Sequence, residues 1–405
     1  MRYRYRLLCC AVLPTLVLTQ PALAADGDPI EFADGATFDP IIDLNLRYET
    51  VDQDNALDTA DAVTVRGRAG FEIAKDGLSF LAEAEGTLAI IDDYNDTIPG
   101  NGIEPYSVVA DPDNVELNRL QIAYTKSGNS ITIGRQRINH DGQRFVGAVA
   151  WRQNEQTFDA VRGQAKIGPV SLDATYSISQ RTIFGNDSPN QDFEGDLVLL
   201  NGGGKFGSVT IKAFSYLLDY DTRVAFSSQS YGVLAMGDIP LGKAKLTFLA
   251  SLAEQKDYGA NPTDYSSEYL NFELGTAISG FSLKAGYEEL GSDDGIASFQ
   301  TPLATLHKFN GFADVFLTTP ANGLRDYYIS AGKGFTLGKL PKFNAGVTYH
   351  KFESDFGGLD YGQEWDATLG FAIGKVGILA KYANYDADGF AVDTEKFWLQ
   401  ASISF

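Results

Sequence analysis

The sequence predicts an all-β chain: one antiparallel up-and-down β-barrel of about 18 strands (16–18) that crosses a membrane. Three observations predict it. Apolar and polar residues alternate with period two in segment after segment, which places one face towards lipid and the other towards a wet lumen. The connections alternate between short and long, as expected of periplasmic turns and extracellular loops. The alternation also runs to the last residue, through KFWLQASISF (396–405). A closed sheet needs this, because its last strand must pair with its first.

The amino terminus supplies an address. Met1 to Arg6 is basic, residues 7–19 are almost wholly apolar, and Ala22-Leu23-Ala24 has the small residues of a cleavage site. Residues 1–24 read as a Sec signal peptide, followed by a short periplasmic lead-in (25–38) and a single barrel domain (39–405). Both cysteines, Cys9 and Cys10, fall in the signal, so the mature chain has no thiol chemistry and no Cys-based metal or haem site. Removing three arginines from 32 basic and 53 acidic residues leaves 29 minus 53, or −24. That charge argues against nucleic acid as a partner. No mature segment reaches 18 consecutive apolar residues, so no spanning helix is expected.

The first three strands show the pattern. In 39–51, Ile42, Leu44, Leu46 and Tyr48 oppose Asp43, Asn45, Arg47 and Glu49. In 62–74, Val63, Val65, Ala69 and Phe71 oppose Thr64, Arg66, Arg68 and Glu72, and Lys75-Asp76-Gly77 turns the chain back into 78–91. Fifteen further segments follow, at 114–125, 130–139, 157–167, 170–181, 193–206, 208–219, 224–237, 243–256, 266–278, 281–290, 324–333, 342–353, 361–373, 376–385 and 394–405. Short connections carry the Gly, Asn and Asp of tight hairpins, as in Ser127-Gly128-Asn129 and Ser279-Gly280. Long ones lie at 52–61, 92–113, 140–156, 182–192, 257–265, 291–323 and 386–393. Gly202-Gly203-Gly204 reads as a thin point in a strand. Tyr48, Tyr124, Tyr176, Tyr287, Tyr349, Tyr382 and Trp398, near strand ends, are candidates for interfacial girdles. A soluble β-sandwich or β-solenoid shares the alternation, but not the strand number or the asymmetry of connections.

Arginine is unevenly placed. Nine of the twelve mature arginines fall between residues 47 and 162: Arg47, Arg66, Arg68, Arg119, Arg135, Arg137, Arg144, Arg152 and Arg162. Arg47, Arg66, Arg68 and Arg162 lie on the polar parity and face the lumen. A lipid-facing Arg at midplane would cost roughly 2–4 kcal/mol. In ITIGRQRINH (131–140), Arg135 and Arg137 share phase with Ile131 and Ile133, and a bulge at Gly134 would turn both inward. The lumen acids opposite are Asp43, Glu49, Glu72, Glu83 and Glu85, with Glu273, Glu288, Glu364 and Asp366 later in the chain. Arginines and acids that pair across strands fill and rigidify a lumen. Arranged as a charged constriction, they select permeants by sign, and the guanidinium fork suits carboxylates. Loop acids such as Asp92, Asp93, Asp111 and Asp113 are expected in solvent or bridged by cations to lipid phosphates.

No catalytic constellation, cofactor motif or metal-ligand spacing is present among His140, His307, His350 and their neighbours. An enzyme built on such a barrel would draw on His350, the only histidine near a strand. A blocked structural barrel is a further alternative.

Two stretches carry a resemblance: GRQRINHDGQRFVGAVAWRQNEQTFDAV (134–161) and FQTPLATLHKFNGFADVFLTTPANGLRDYY (299–328). Both resemble the alginate-export family of outer-membrane β-barrel porins. The resemblance implies 18 strands, a bacterial outer-membrane location and an Arg-rich constriction passing an anionic saccharide, with Arg135, Arg137, Arg144 and Arg152 from the first motif. From the second motif the matching residues are His307, Asp314 and Arg325, which are taken as a candidate loop gate. Phe405 resembles the terminal signal read by the barrel-assembly machinery, and lipid and lipopolysaccharide are the surroundings implied. The alternative is a general or substrate-specific porin for small solutes. The apolar residues of 291–323, Leu303, Leu306, Phe309, Phe312, Val315 and Phe316, lead us to expect a loop folded into the barrel mouth.

Overall fold

The computed structural model describes residues 29–405 apart from Lys243 and Lys339; the expected signal peptide and its cleavage site lie outside the described residues. The strands begin with β1 (Ile30–Ala33), β2 (Ala36–Gln53), β3 (Ala60–Lys75), β4 (Leu78–Asp93), β5 (Asn114–Lys126), β6 (Asn129–Gln136) and β7 (Thr157–Ile167). They continue with β8 (Val170–Arg181), β9 (Asp192–Phe206), β10 (Val209–Tyr220), β11 (Ser228–Leu241), β12 (Ala244–Asp257), β13 (Ser266–Ile278) and β14 (Phe281–Leu290). A two-strand hairpin, β15 (Ser292–Asp293) and β16 (Ala297–Ser298), lies inside the longest loop. The last strands are β17 (Leu324–Thr336), β18 (Lys342–Glu353), β19 (Asp360–Ile373), β20 (Val376–Ala387) and β21 (Thr394–Ser404).

Each long strand pairs antiparallel with the next, β14 pairs with β17, and β21 pairs with β2 from Asp43↔Ser404 to Gln53↔Thr394. The result is a closed barrel of 18 strands, as the alternation predicts. Closure satisfies the main-chain groups that an open edge would leave bare in lipid. Below the last residue, β1 pairs with β2 at Ile30↔Phe38 and Glu31↔Thr37, covering an edge that the end of β21 leaves free.

The alternation sorts the two faces as expected. Ile42, Leu44, Leu46, Ile122, Ile133, Val161, Leu200, Val233, Leu270 and Ile329 are exposed on the outer face, while Asn45, Arg47, Glu49, Arg66, Arg68, Glu83 and Glu85 are buried inside. Tyr124 and Tyr176 are exposed on the outer face, and Tyr287 and Tyr349 pair there with Tyr327 and Trp365. Trp398 departs from the girdle expectation: it stands on the inward parity of β21 and is fully buried.

The lumen is filled by chain rather than left hollow. Residues 137–156 leave the wall after β6 and cross it, and 291–323 enter from above. Ile138, Val146 and Leu303 pack on an apolar inner wall made by Phe158, Leu197, Leu199, Phe214, Tyr216, Leu218 and Tyr220. Tyr94 and Val109, from the loop after β4, pack inside β2 and β3 with Val51, Ala60 and Ala62.

The expected bulge at Gly134 is not present. The β5–β6 and β6–β7 ladders run through it without a shift, so Arg135 keeps the outward phase of Ile131 and Ile133. Asp159, its cross-strand partner, accepts both arms of its guanidinium at 2.8 Å and neutralises it. The bulge lies one strand earlier. The β4–β5 register shifts beside Glu83, so Asn118 is an extra residue, and Asn118 and Arg119 both turn inward onto the Glu83 carboxylate. Arg137 reaches the lumen because the strand has already ended.

Two substitutions test the sorting of faces. Leu44→Arg, on the lipid face, is expected to lower folding stability in lipid vesicles by roughly 2–4 kcal/mol, whereas Gln164→Arg, on the lumen face, changes it by less than about 1 kcal/mol. Urea-dependent refolding followed by tryptophan fluorescence measures both.

Candidate functional site: a two-loop constriction on an arginine wall

The two inward loops form one body. Val146 and Leu303 make a parallel bridge, Gly147 N–H donates to Leu303 O at 2.8 Å, and Thr305 N–H donates to Gln143 O at 3.1 Å. The Gln156 side-chain amide donates to the carbonyls of Gly147 (2.7 Å) and Leu303 (3.0 Å). A Cβ at Gly147 would stand 2.3 Å from Thr305 Oγ1, so only glycine allows the loops to approach this closely.

Arginines fix this body to the wall. Arg144 donates to Glu288 of β14 (2.7 Å), Thr301 (3.0 Å) and Asn310 (3.1 Å). Arg152 donates to Glu49 of β2 at 2.9 Å and lies 3.6 Å from Asp111 and 3.5 Å from Asp314. Arg47 donates to Asp111 (3.1 Å), Gln400 (2.9 Å) and the Trp151 carbonyl, and its guanidinium lies 4.3 Å from the Trp151 ring centroid. Asp111, expected in solvent, is buried as the shared counter-ion of Arg47 and Arg152. On the opposite wall, Glu364 accepts from Ala313 N–H at 2.7 Å and Asp366 from Phe312 N–H at 3.2 Å. Gly311, with φ +86°, leaves room there for the Glu364 carboxylate.

The rest of the expected basic wall is paired. Arg66 bonds Asp43, and Arg68 bonds Glu85 with Glu155 at 3.4 Å. Arg119 grips Glu83 through two bonds of 2.8 and 2.6 Å. Arg137 bonds Glu155 and Glu83, and Arg162 donates to Asp173 at 3.0 Å. Glu72 shares the inward parity of β3 and is half-buried. Arg119, Arg137 and Arg162 remain partly accessible, with 15 %, 28 % and 15 % of their side chains exposed; Arg47 and Arg68 do not. Two expected site residues lie elsewhere. Arg135 is on the outer face, and Arg325 is also on the outer parity, bonded to Glu289 at 2.8 Å and to Asp355 at the loop rim. Both are held outside by cross-strand acids that neutralise them.

His307 and Asp314 do meet at the constriction. His307 Nδ1–H donates to Asp314 Oδ1 at 2.8 Å, and its Nε2 accepts from the Lys381 ammonium at 2.5 Å. The imidazole stacks on Trp151 at 4.4 Å and 6°, with Phe312 on another side at 5.2 Å. Lys381 sits 3.2 Å from the Phe312 centroid and 4.2 Å from that of Trp151. Burial, with Lys381 beside it, pushes the His307 imidazole down to about 3 despite the favourable Asp314 charge. Burial alone would raise the Asp314 carboxyl, but His307, Lys396 and Arg152 more than reverse this and hold it well below the carboxylate range. Sequence reasoning missed Trp151, Lys381 and Trp398 in this nest. Their signal was a tryptophan and two lysines, Lys381 and Lys396, on the inward parity of β20 and β21.

The docked loop holds His307 neutral, so between pH 6.5 and about 3 it binds fewer protons than the undocked loop. Docking should therefore weaken as pH falls through that window, by up to about tenfold per pH unit. Single-channel recordings from pH 7 to pH 4 are expected to show more loop-driven substates in the native protein than in His307→Gln, whose profile should be flatter.

Comparisons with known proteins agree with the fold. A search of curated proteins found no match. The structure is similar to OccK9 (OpdG) of Pseudomonas aeruginosa, with a TM-score of 0.71, 15% identity, and coverage of 91% of this chain and 99% of that one. It is similar to the outer-membrane protein OpdK of the same organism, with a TM-score of 0.70, 14% identity, and coverage of 91% and 98%. It is also similar to OccAB3 of Acinetobacter baumannii, with a TM-score of 0.67, 12% identity, and coverage of 91% and 100%. Residues 43–193, which supply the arginine wall and the first inward loop, match the family model described as alginate export, on a barrel with the fold of the outer-membrane porins.

Proposed function

We propose that the protein is an outer-membrane channel for carboxylated solutes, anionic saccharides among them, that pass the two-loop constriction by way of Arg119 and Arg137. One observation carries this reading. The inward loops are pinned to an arginine wall on which Arg119 and Arg137 stay accessible. A permeant carboxylate can exchange places with Glu83 or Glu155 on these guanidinium forks, and the displaced acids keep the complex weak enough to dissociate. The apolar outer face supports a membrane location, and the alginate-export match supports an anionic cargo. OpdK has been solved with vanillate, a carboxylate. Phe405, half exposed at the end of the closing strand, suits recognition by the assembly machinery, and lipid with lipopolysaccharide suits the outer face.

A second reading has its own support. Arg47, Arg144 and Arg152 are buried against acids, as in a barrel whose plug is purely structural. Planar-bilayer recording separates the two: the channel reading expects open-channel current and block by uronate oligomers, but not by neutral sugars of equal length. Absence of current in folded protein favours the structural plug. In Arg119→Gln/Arg137→Gln, the anion-to-cation permeability ratio is expected to fall several-fold, read as a shift in reversal potential under a salt gradient.

A further inference from the structure

The barrel wall is incomplete on one side. β6 has 8 residues, against 13 in β5 and 11 in β7. The β5–β6 ladder ends at Leu120↔Arg135, and β6–β7 ends at Gln136↔Phe158. Residues 114–119 of β5 pair with β4 on one edge; on the other, no strand pairs with them among the described residues. The last rung, Leu120↔Arg135, lies six residues above the turn rung Lys126↔Asn129. A strand needs about 9–11 residues to cross the hydrocarbon, so the wedge opens within the membrane and widens towards the loop rim.

Side chains close it in place of a strand. Arg135 donates to the Leu117 carbonyl at 3.0 Å as well as to Asp159. Arg181 bonds Glu116 at 3.2 Å and the Asn186 side-chain oxygen at 2.7 Å. Asn186, from the loop after β8, donates its side-chain amide to the Val115 carbonyl at 2.9 Å and its main-chain N–H to Asn114 at 3.1 Å. Outside the wedge, Val115 is 81 % exposed and Leu117 is also exposed. The Arg135–Asp159 pair stands on the lipid face with 21 % and 30 % of its side chains exposed. An ion pair at this depth is less costly with water beside it than against lipid alone, and a wedge in the wall can admit that water. Behind the wedge, Arg119 and Arg137 keep partly accessible guanidiniums, while Ile138 and Phe158 are fully buried in the inner-wall cluster.

We infer that this wedge is a lateral portal between the lumen and the outer leaflet, for amphiphiles with a carboxylate head and an apolar tail. The inference rests on the barrel spanning a membrane with a hydrated lumen, as proposed above. The head sits on Arg119 and Arg137, the tail stays against the exposed Val115 and Leu117 at the outer lip of the wedge, and the exit opens when Arg181 and Asn186 release β5. A continuous ladder of main-chain bonds would bar this route, whereas a few separate side-chain bonds can be released locally without unzipping a strand.

With Cys9 and Cys10, the two cysteines of the chain, replaced by serine, a single introduced thiol reports cleanly. In lipid vesicles, Arg137→Cys is expected to react with a phospholipid carrying a maleimide on its acyl chain. The reaction should be at least about tenfold faster when the latch is loosened by Arg181→Gln/Asn186→Ala, which removes three of these side-chain bonds. A rate unchanged by loosening, or no reaction with the lipid-borne reagent while a soluble maleimide labels the same thiol, overturns the portal. Heat-modifiable gel mobility verifies that the loosened barrel is folded, and Asn186→Ala alone provides a milder opening. Ion conductance of the latch variants tests the axial channel separately, so either reading can fail without the other.

Discussion

Main-chain hydrogen bonding within the wall is the constraint on which the rest of this structure depends. A membrane offers no water to an unpaired N–H or C=O, so 18 strands must close, from β2 round to β21. Closure fixes which side chains meet. Arg47 faces Gln400 because the first barrel strand lies beside the last. Glu83 receives Asn118, Arg119 and Arg137 because a bulge in β5 and the early end of β6 bring all three to one point.

Charge inside the barrel follows from the same constraint. Each inward arginine of the wall has a carboxylate within bonding reach; the loop after β4 brings Asp111, and the two inward loops bring Glu155 and Asp314. Burying an arginine alone would be prohibitive, whereas a hydrogen-bonded pair is tolerated. Net sign is therefore a poor guide to what the lumen recognises. On the reading proposed above, what matters is which inward guanidiniums keep a face open, and those are Arg119, Arg137 and Arg162.

The architecture was legible in the sequence because a two-residue period survives any detail of packing: Ile42, Leu44 and Leu46 announce their face whatever stands next to them. Both long connections were visible as loops, and the apolar content of 291–323 betrayed its inward fold. The constriction was less legible. Arg135 and Arg137 look equivalent in the sequence, yet one stays on the sheet and the other leaves it. That difference depends on where β6 ends, which the cross-strand partner Asp159 and the packing of Ile138 decide. Trp398 looked interfacial by its place near a strand end; its parity, set by the register with β2, turned it inward beneath Trp151. Asp111 looked solvated because nothing local reveals that Arg47 and Arg152 converge on it.

The joining of two loops inside a closed wall also has a kinetic consequence. Arg144 reaches Asn310 across 166 positions of sequence, and Arg47 reaches Gln400 across 353. Contacts of such separation form late, after shorter loops have closed. The seam joins positions 353 apart and the stopper positions only 166 apart, so an assembling molecule passes through a stage in which the stopper is already tied together inside a vessel whose side is still unsealed.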